Sequence, residues 1–258
     1  MFRLFLYALC LLPLSIHAQK DYSGVYYLGG LNKVTPAKPY GRIQVLQLAD
    51  QRAFVRLYYM NGLQSSNSAA FSEVIQLDQG RLVYTTKEDP SCTVILTFTD
   101  TALVVTQSST AFSFACGFGR NVAVDGIYQK GKESAIAPIR IGQHRLSLQW
   151  IDAASIGSAT IRPSVKGGGF PIQGRQVLSG YLNKDSLSIK GIIYPLSDKE
   201  LVFDGTIVSQ TTMVNGGQPC IRKGVFTFKS TQGRKYWRLQ QMQNCEGGMV
   251  VDYIDIFF

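Results

Sequence analysis

Two cysteine-bearing segments of this 258-residue chain match one another, and that duplication limits the possible folds more than any other feature. The first segment runs "RLVYTTKEDPSC", "TVILTFTDT", then "ACGFGRNVAVDGIYQK". The second runs "KELVFDGTIV", "QPC", "VFTFKST", then "NCEGGMVVDYIDIFF". Each passes through Leu-Val-aromatic, a proline, a cysteine, Thr-Phe, a second cysteine with glycine three residues on, and Val-Asp. Cys92 and Cys220 are 128 residues apart, and Cys116 and Cys245 are 129 apart. A fixed period of this length marks tandem units of one architecture.

Side-chain parity indicates what the units are made of. Cys92 falls in step with Val94, Leu96 and Phe98, while Thr93, Thr97 and Thr99 take the other parity. Cys116 falls with Phe114 and Phe118, and Cys220 with Phe226 and Phe228, opposite Lys223, Thr227 and Lys229. Successive side chains of a strand point to opposite faces, so each cysteine sits on the apolar face. Short alternating runs punctuated by Gly and Pro continue along the chain, and no segment sustains a helical period. "WIDAASIGSA" has room for one short turn. The reading is all-β: two tandem antiparallel barrels or sandwiches, lipocalin-like, each with one disulfide. The domains are residues 19–133 and 134–258, with the boundary in "YQKGKESAIAP".

The start of the chain, "MFRLFLYALCLLPLSIHAQK", reads as a secretory signal peptide over residues 1–18, cleaved after Ala18. Arg3 supplies the positive end, and the apolar run is short for a bilayer span. Leu9 before Cys10 argues against lipidation. The expectation is an exported protein, periplasmic or extracellular, with no transmembrane segment. Export makes the four remaining cysteines disulfides rather than thiols, and four allow three connectivities. Pairing in sequence order, Cys92 with Cys116 and Cys220 with Cys245, closes two loops of similar size. Zinc is disfavoured, because there is no CxxC and only His144 remains.

Residues 91–130, "SCTVILTFTDTALVVTQ…FACGFGRNVAVDGIYQK", resemble a segment of small exported β proteins of Gram-negative bacteria, some of them lysozyme-inhibitor-like. Cys116-Gly117-Phe118-Gly119 followed by Asp125-Gly126-Ile127-Tyr128 carries the resemblance. "PCIRKGVFTFKSTQGRKYWRLQ…DYIDIFF" is similar to other exported bacterial proteins of unknown function. The resemblance implies a binding protein, with a lysozyme as one partner. Membrane-bound inhibitors insert a Ser-Gly loop and a Lys-Gly turn; Ser179-Gly180 and Lys190-Gly191 occur here, but in the second half, outside the matching segment, and such dipeptides recur by chance.

Catalytic motifs are missing: there is no GxSxG, HExxH, P-loop or dinucleotide fingerprint. His144 stands alone in a strand-like run, and "KGGGF", residues 166–170, reads as a loop. Asp252 and Asp255 are three apart, so in a strand they face opposite ways and suit pairing with arginine better than joint acid–base work. The expectation is a non-enzyme without cofactor or metal. Charge is more telling: residues 134–258 hold fourteen Lys and Arg against eight Asp and Glu, whereas residues 19–133 hold eleven against nine. A basic second half suits an envelope polyanion and works against inhibiting a basic lysozyme. Nucleic acid is not expected of an exported chain. "GRKYWRLQ" places Arg234, Tyr236 and Arg238 on one face, extended by Lys229, as a candidate anion-binding strip. Lys235, Trp237 and Leu239 take the other face. The alternative is a lipocalin-type carrier with an apolar cavity lined by Phe98, Phe203 and Phe226.

Overall fold

The computed structural model describes residues 20–258 apart from 37, 63–66, 87–88, 109–114, 165–167 and 179–184. The signal-peptide segment with Cys10, Phe114, Lys166, Gly167 and Ser179-Gly180 therefore lie outside the described residues. The first half forms β1 Gly24–Leu28, β2 Tyr40–Gln47, β3 Arg52–Met60, β4 Ser68–Gln76, β5 Arg81–Thr85, β6 Thr93–Phe98, β7 Ala102–Gln107 and β8 Gly126–Lys130. The second half forms β9 Gly142–Leu148, β10 Gly157–Ile161, β11 Phe170–Val177, β12 Ser186–Pro195, β13 Glu200–Gln210, β14 Cys220–Lys229, β15 Tyr236–Leu239 and β16 Ile254–Phe257. Among the described residues there is no α-helix, only three 3-10 turns, one of them Ala153–Ser155 in "WIDAASIGSA".

Each half is an eight-stranded antiparallel meander in which the first strand pairs with the last. The two therefore share one topology. The disulfides occupy equivalent places. Cys92–Cys116 and Cys220–Cys245 each join the start of the sixth strand to the loop between the seventh and eighth. The sequential pairing and the duplication read from the sequence both meet in this arrangement.

The two meanders differ in closure. The second is a complete barrel, with β12 and β13 forming one of its longest ladders. In the first, the corresponding strands β4 and β5 are the two ends of the sheet and form no ladder. Beyond the single Asp78–Arg81 bridge at the turn, the strands diverge, and the rings of Phe71 and Tyr84 stack 3.8 Å apart across the gap.

Both interiors are apolar. Cys92, Val94, Leu96, Cys116 and Phe118 are buried in the first core, and Phe203, Phe226, Phe228, Trp237 and Leu239 in the second. This alternation is the reverse of a membrane-spanning barrel, whose apolar side chains face outward. No described helix is long and apolar enough to cross a bilayer. The second interior is filled through a row of paired glycines, Gly191, Gly205 and Gly224, on three adjacent strands. A Cβ at Gly205 would stand 2.6 Å from the Phe203 ring and 2.4 Å from the Lys190 carbonyl oxygen. The row lets that ring lie against bare backbone. Phe203 then meets Phe226 and Phe228 with centroids 6.0 and 6.1 Å away.

A third apolar cluster joins the barrels through their outer faces. Leu46, Leu48 and Phe54 of the first half pack with Tyr194, Val202 and Ala135. Around it, Arg56 donates two hydrogen bonds to Glu200, both 2.7 Å, and Arg52 donates one to Asp204 at 2.9 Å. The Gln44 side chain donates to the Ala135 carbonyl at 2.8 Å.

Candidate anion-binding pocket at one end of the second barrel

The strip singled out in the sequence folds as its parity requires. Trp237 and Leu239 are buried in the core, Tyr236 and Arg238 are half-buried on the outer face, and Lys235 is exposed at the strand start. β15 pairs Arg238 with Lys229 of β14 on one side and with Asp255 of β16 on the other. Carboxylates then claim both cations. Arg238 donates to the two oxygens of Asp255 at 2.8 and 2.7 Å, and its guanidinium lies over the rings of Tyr253 and Tyr236. The hydrogen bond to Asp255 outweighs burial and holds the Arg238 guanidinium above its usual range, with the Asp255 charge adding to it. Lys229 stands 3.2 Å from Glu200. An anion on this strip competes with Asp255 and Glu200. Among the described residues Arg234 has no carboxylate partner, and its guanidinium sits 5.7 Å from the Tyr236 ring centre.

Arg234 belongs to a pocket instead. The turn Thr231–Arg234 is tight because Gln232 and Gly233 both adopt positive φ, 55° and 71°, a turn geometry suited to glycine. Ser230 pins it, donating to the Arg234 carbonyl at 2.8 Å while its own N–H reaches the Lys199 carbonyl at 2.7 Å. The turn, the Asp198-Lys199 corner and residues Pro138–Arg140 enclose about 380 Å³. The floor is apolar: Trp237, with its ring 4.6 Å from that of Phe258, and Ile139. The Trp237 indole N–H is satisfied by the Asp198 carbonyl at 3.0 Å, which fixes the ring's orientation. Arg140, Lys199, Arg234 and Lys235 line the rim, with Asp198 as the acidic member. Arg140 also donates to the Gln143 carbonyl at 3.2 Å. A concave apolar floor bordered by cations suits an anion with an apolar body.

His144 supports this end from below. It is buried, with Nδ1 2.7 Å from the Phe257 carbonyl and Nε2 2.9 Å from the Arg140 carbonyl, so it ties the β9 start to the β16 end.

The opposite end of the barrel is stoppered. Asp252, fully buried, accepts hydrogen bonds from Arg222 at 2.8 Å, Ser209 at 3.0 Å, Trp150 at 3.0 Å and Asn244 at 2.8 Å. Arg222 also donates to the carbonyls of Gln241 and Gln243. With Cys220–Cys245, this network sews the loop between β15 and β16 onto the barrel. Both aspartates of "VVDYIDIFF" are thus arginine-paired, on different sides of the wall. Among the described residues no three His, Cys, Asp or Glu side chains converge as a metal site. Lys190-Gly191 lies in mid-strand, paired on both sides within β11–β12–β13, and is not a turn, so it is no counterpart of an inhibitor's Lys-Gly turn.

The strand parity that places Trp237 in the core was visible in the sequence, whereas Arg140 and Lys199 reach the pocket from two separate connections and Phe258 from the residue after β16. Their only local signals are the Pro138-Ile-Arg and Ser-Asp-Lys corners that interrupt strand patterns.

No solved structure matches this chain. An uncharacterised protein of Pasteurella multocida strain Pm70, PM1083, is 44% identical over 119 residues, covering 46% of this chain and 72% of that protein. The PM1083 family model matches residues 129–258, the half that carries the closed barrel, the second disulfide and the end pocket. The chain belongs to the PM1083 family.

Proposed function

We propose that this chain is an exported, non-enzymatic binding protein of the cell envelope, and that its second barrel holds an anionic ligand with an apolar body. The observation that carries the reading is the end pocket, where four cations and one carboxylate rim a Trp237–Phe258 floor. Support for export comes from the leader-like start and from two disulfides. A carrier with the ligand inside the barrel is less favoured, since Phe203, Phe226 and Phe228 pack against each other at the centre. The lysozyme-inhibitor resemblance concerns residues 91–130, in the first meander, and it assigns no role to the second.

An aromatic sulfonate such as 1-anilinonaphthalene-8-sulfonate has the required chemistry. Titrated into a Trp150→Phe variant, which leaves Trp237 as the sole tryptophan, it is expected to quench Trp237 emission saturably. Arg234→Ala/Lys235→Ala should weaken that binding by about tenfold or more, from the loss of two rim charges near an apolar wall. Equal binding by the double variant would remove the pocket from consideration.

A further inference from the structure

The positive excess of the second half is not concentrated at the end pocket. Cross-strand register gathers much of it on the outer wall of β9–β14. One row runs Arg145, Ser158, Arg175, Ser188 across β9, β10, β11 and β12, and continues through Val208 to the exposed Ile221 on β13 and β14. The next runs Gln143, Thr160, Gln173, Lys190, Thr206, Lys223, continuing to β13 and β14. Neither row contains an acidic residue. Arg175, Lys190 and Lys223 are exposed, and among the described residues none of them is in an ion pair. A groove of about 640 Å³ runs over this wall, with Arg162 at its end.

Like charges on neighbouring strands repel, and surfaces kept only for solubility intersperse both signs. Arg175 and Lys190 are diagonal neighbours, about 7–8 Å apart with their Cβ atoms somewhat closer. Lys190 and Lys223 are separated by one intervening strand, so about 10 Å. The nearest carboxylate on this face, Asp204, is a diagonal neighbour of Lys190 and Lys223, and it is already paired with Arg52 at 2.9 Å. Between the cations stand hydroxyl and amide groups, Ser158, Thr160, Gln173, Ser186 and Ser188, and no aromatic ring lines the groove.

The geometry points to an extended anionic polysaccharide as the occupant of this wall. Repeating carboxylate or sulfate groups would meet the cations, and sugar hydroxyls would meet the Ser, Thr and Gln side chains. Single-stranded nucleic acid needs stacking faces that the groove lacks. A lipid surface needs a cluster of apolar side chains to insert; the groove lining is polar apart from the buried Ile189, and the exposed Val177 and Ile221 stand singly at its margins. The wall shares no residue with the end pocket, so the inference stands apart from the proposed function.

Fluorescently labelled polygalacturonate and dextran sulfate, with neutral dextran as control, test it by anisotropy on the full chain. Both anionic polymers are expected to bind and neutral dextran not. Affinity should fall at least about tenfold between 50 and 200 mM salt, as counterion release requires. Arg175→Gln/Lys190→Gln/Lys223→Gln should bind at least about tenfold more weakly. Its melting temperature and its sulfonate binding should be unchanged, because all three side chains are exposed. Lys33→Gln/Lys38→Gln/Lys132→Gln removes the same charge from exposed positions elsewhere and should retain affinity. Equal losses in the two triple variants would reduce the effect to net charge and overturn the inference. So would loss of polymer binding on Arg234→Ala/Lys235→Ala alone, or tighter binding to single-stranded DNA or phosphatidylglycerol vesicles than to either polysaccharide.

Discussion

At the scale of single residues, the Val-Asp pair shared by the two repeats shows how one sequence position acquires two energetic roles. Asp125 is exposed and, among the described residues, accepts one backbone N–H, from Gln107 at 2.9 Å. Asp252, its counterpart, is fully buried and accepts from four side chains, Arg222 among them. Removing Asp252 leaves the Arg222 charge buried without a counter-ion, and burial already pushes that guanidinium below its usual range. Asp252→Ala is therefore expected to lower the unfolding free energy by about 3–5 kcal/mol. Asp125→Ala should cost about 1 kcal/mol. Denaturant titration of the two variants checks the contrast, and equal losses would contradict the role given to the buried carboxylate. The sequence separates Asp252 from Asp255 by parity and suggests arginine partners for each. It does not name Arg222 or Arg238, because that choice depends on which strands become neighbours.

At the scale of strands, the glycine row decides how the second barrel is filled. Gly205→Ala drives a methyl to 2.4 Å from the Lys190 carbonyl oxygen and 2.6 Å from the Phe203 ring, so backbone or a fully buried ring must shift. Overpacking of this kind costs about 1–3 kcal/mol. Gly233→Ala has open space around it and acts only through its positive φ. Thermal unfolding should thus rank Gly205→Ala below Gly233→Ala. Strand positions were largely legible: "RLVYTT", "CTVILTFT" and "SLSIKGIIYP" coincide with β5, β6 and β12. The spacing of Gly191, Gly205 and Gly224 is not a local signal. The three align only after β12, β13 and β14 take register.

At the scale of the whole molecule, the joint between the barrels is the part least visible in sequence. β3, "RAFVRLYYM", lacks clean alternation because it is covered on both faces, by its own core and by the neighbouring barrel. That broken alternation was the available clue. Glu200 sits in this joint. Burial alone would raise its carboxyl, yet the hydrogen bonds and charge of Arg56, with help from Lys229, hold it below the usual range. A depressed carboxyl stabilises the folded state above the ordinary carboxylate range and loses that contribution as pH falls through the folded value. Wild type should therefore exceed Glu200→Gln by about 1–3 kcal/mol at pH 7, with the difference shrinking steadily below about pH 4.5. Chemical denaturation of both proteins from pH 7 to pH 3 measures it. A constant difference would remove Glu200 from the joint's electrostatics.

The missing ladder between β4 and β5 gives the two halves different mechanics. A tube slit along its length can widen at the slit without breaking a ladder, whereas a closed tube can widen only by breaking one. Opening of the first sheet between β4 and β5 therefore breaks no ladder. The second barrel, which bears the end pocket and the cationic wall, has a ladder on both sides of every strand, so the backbone positions that carry its charges are held in register.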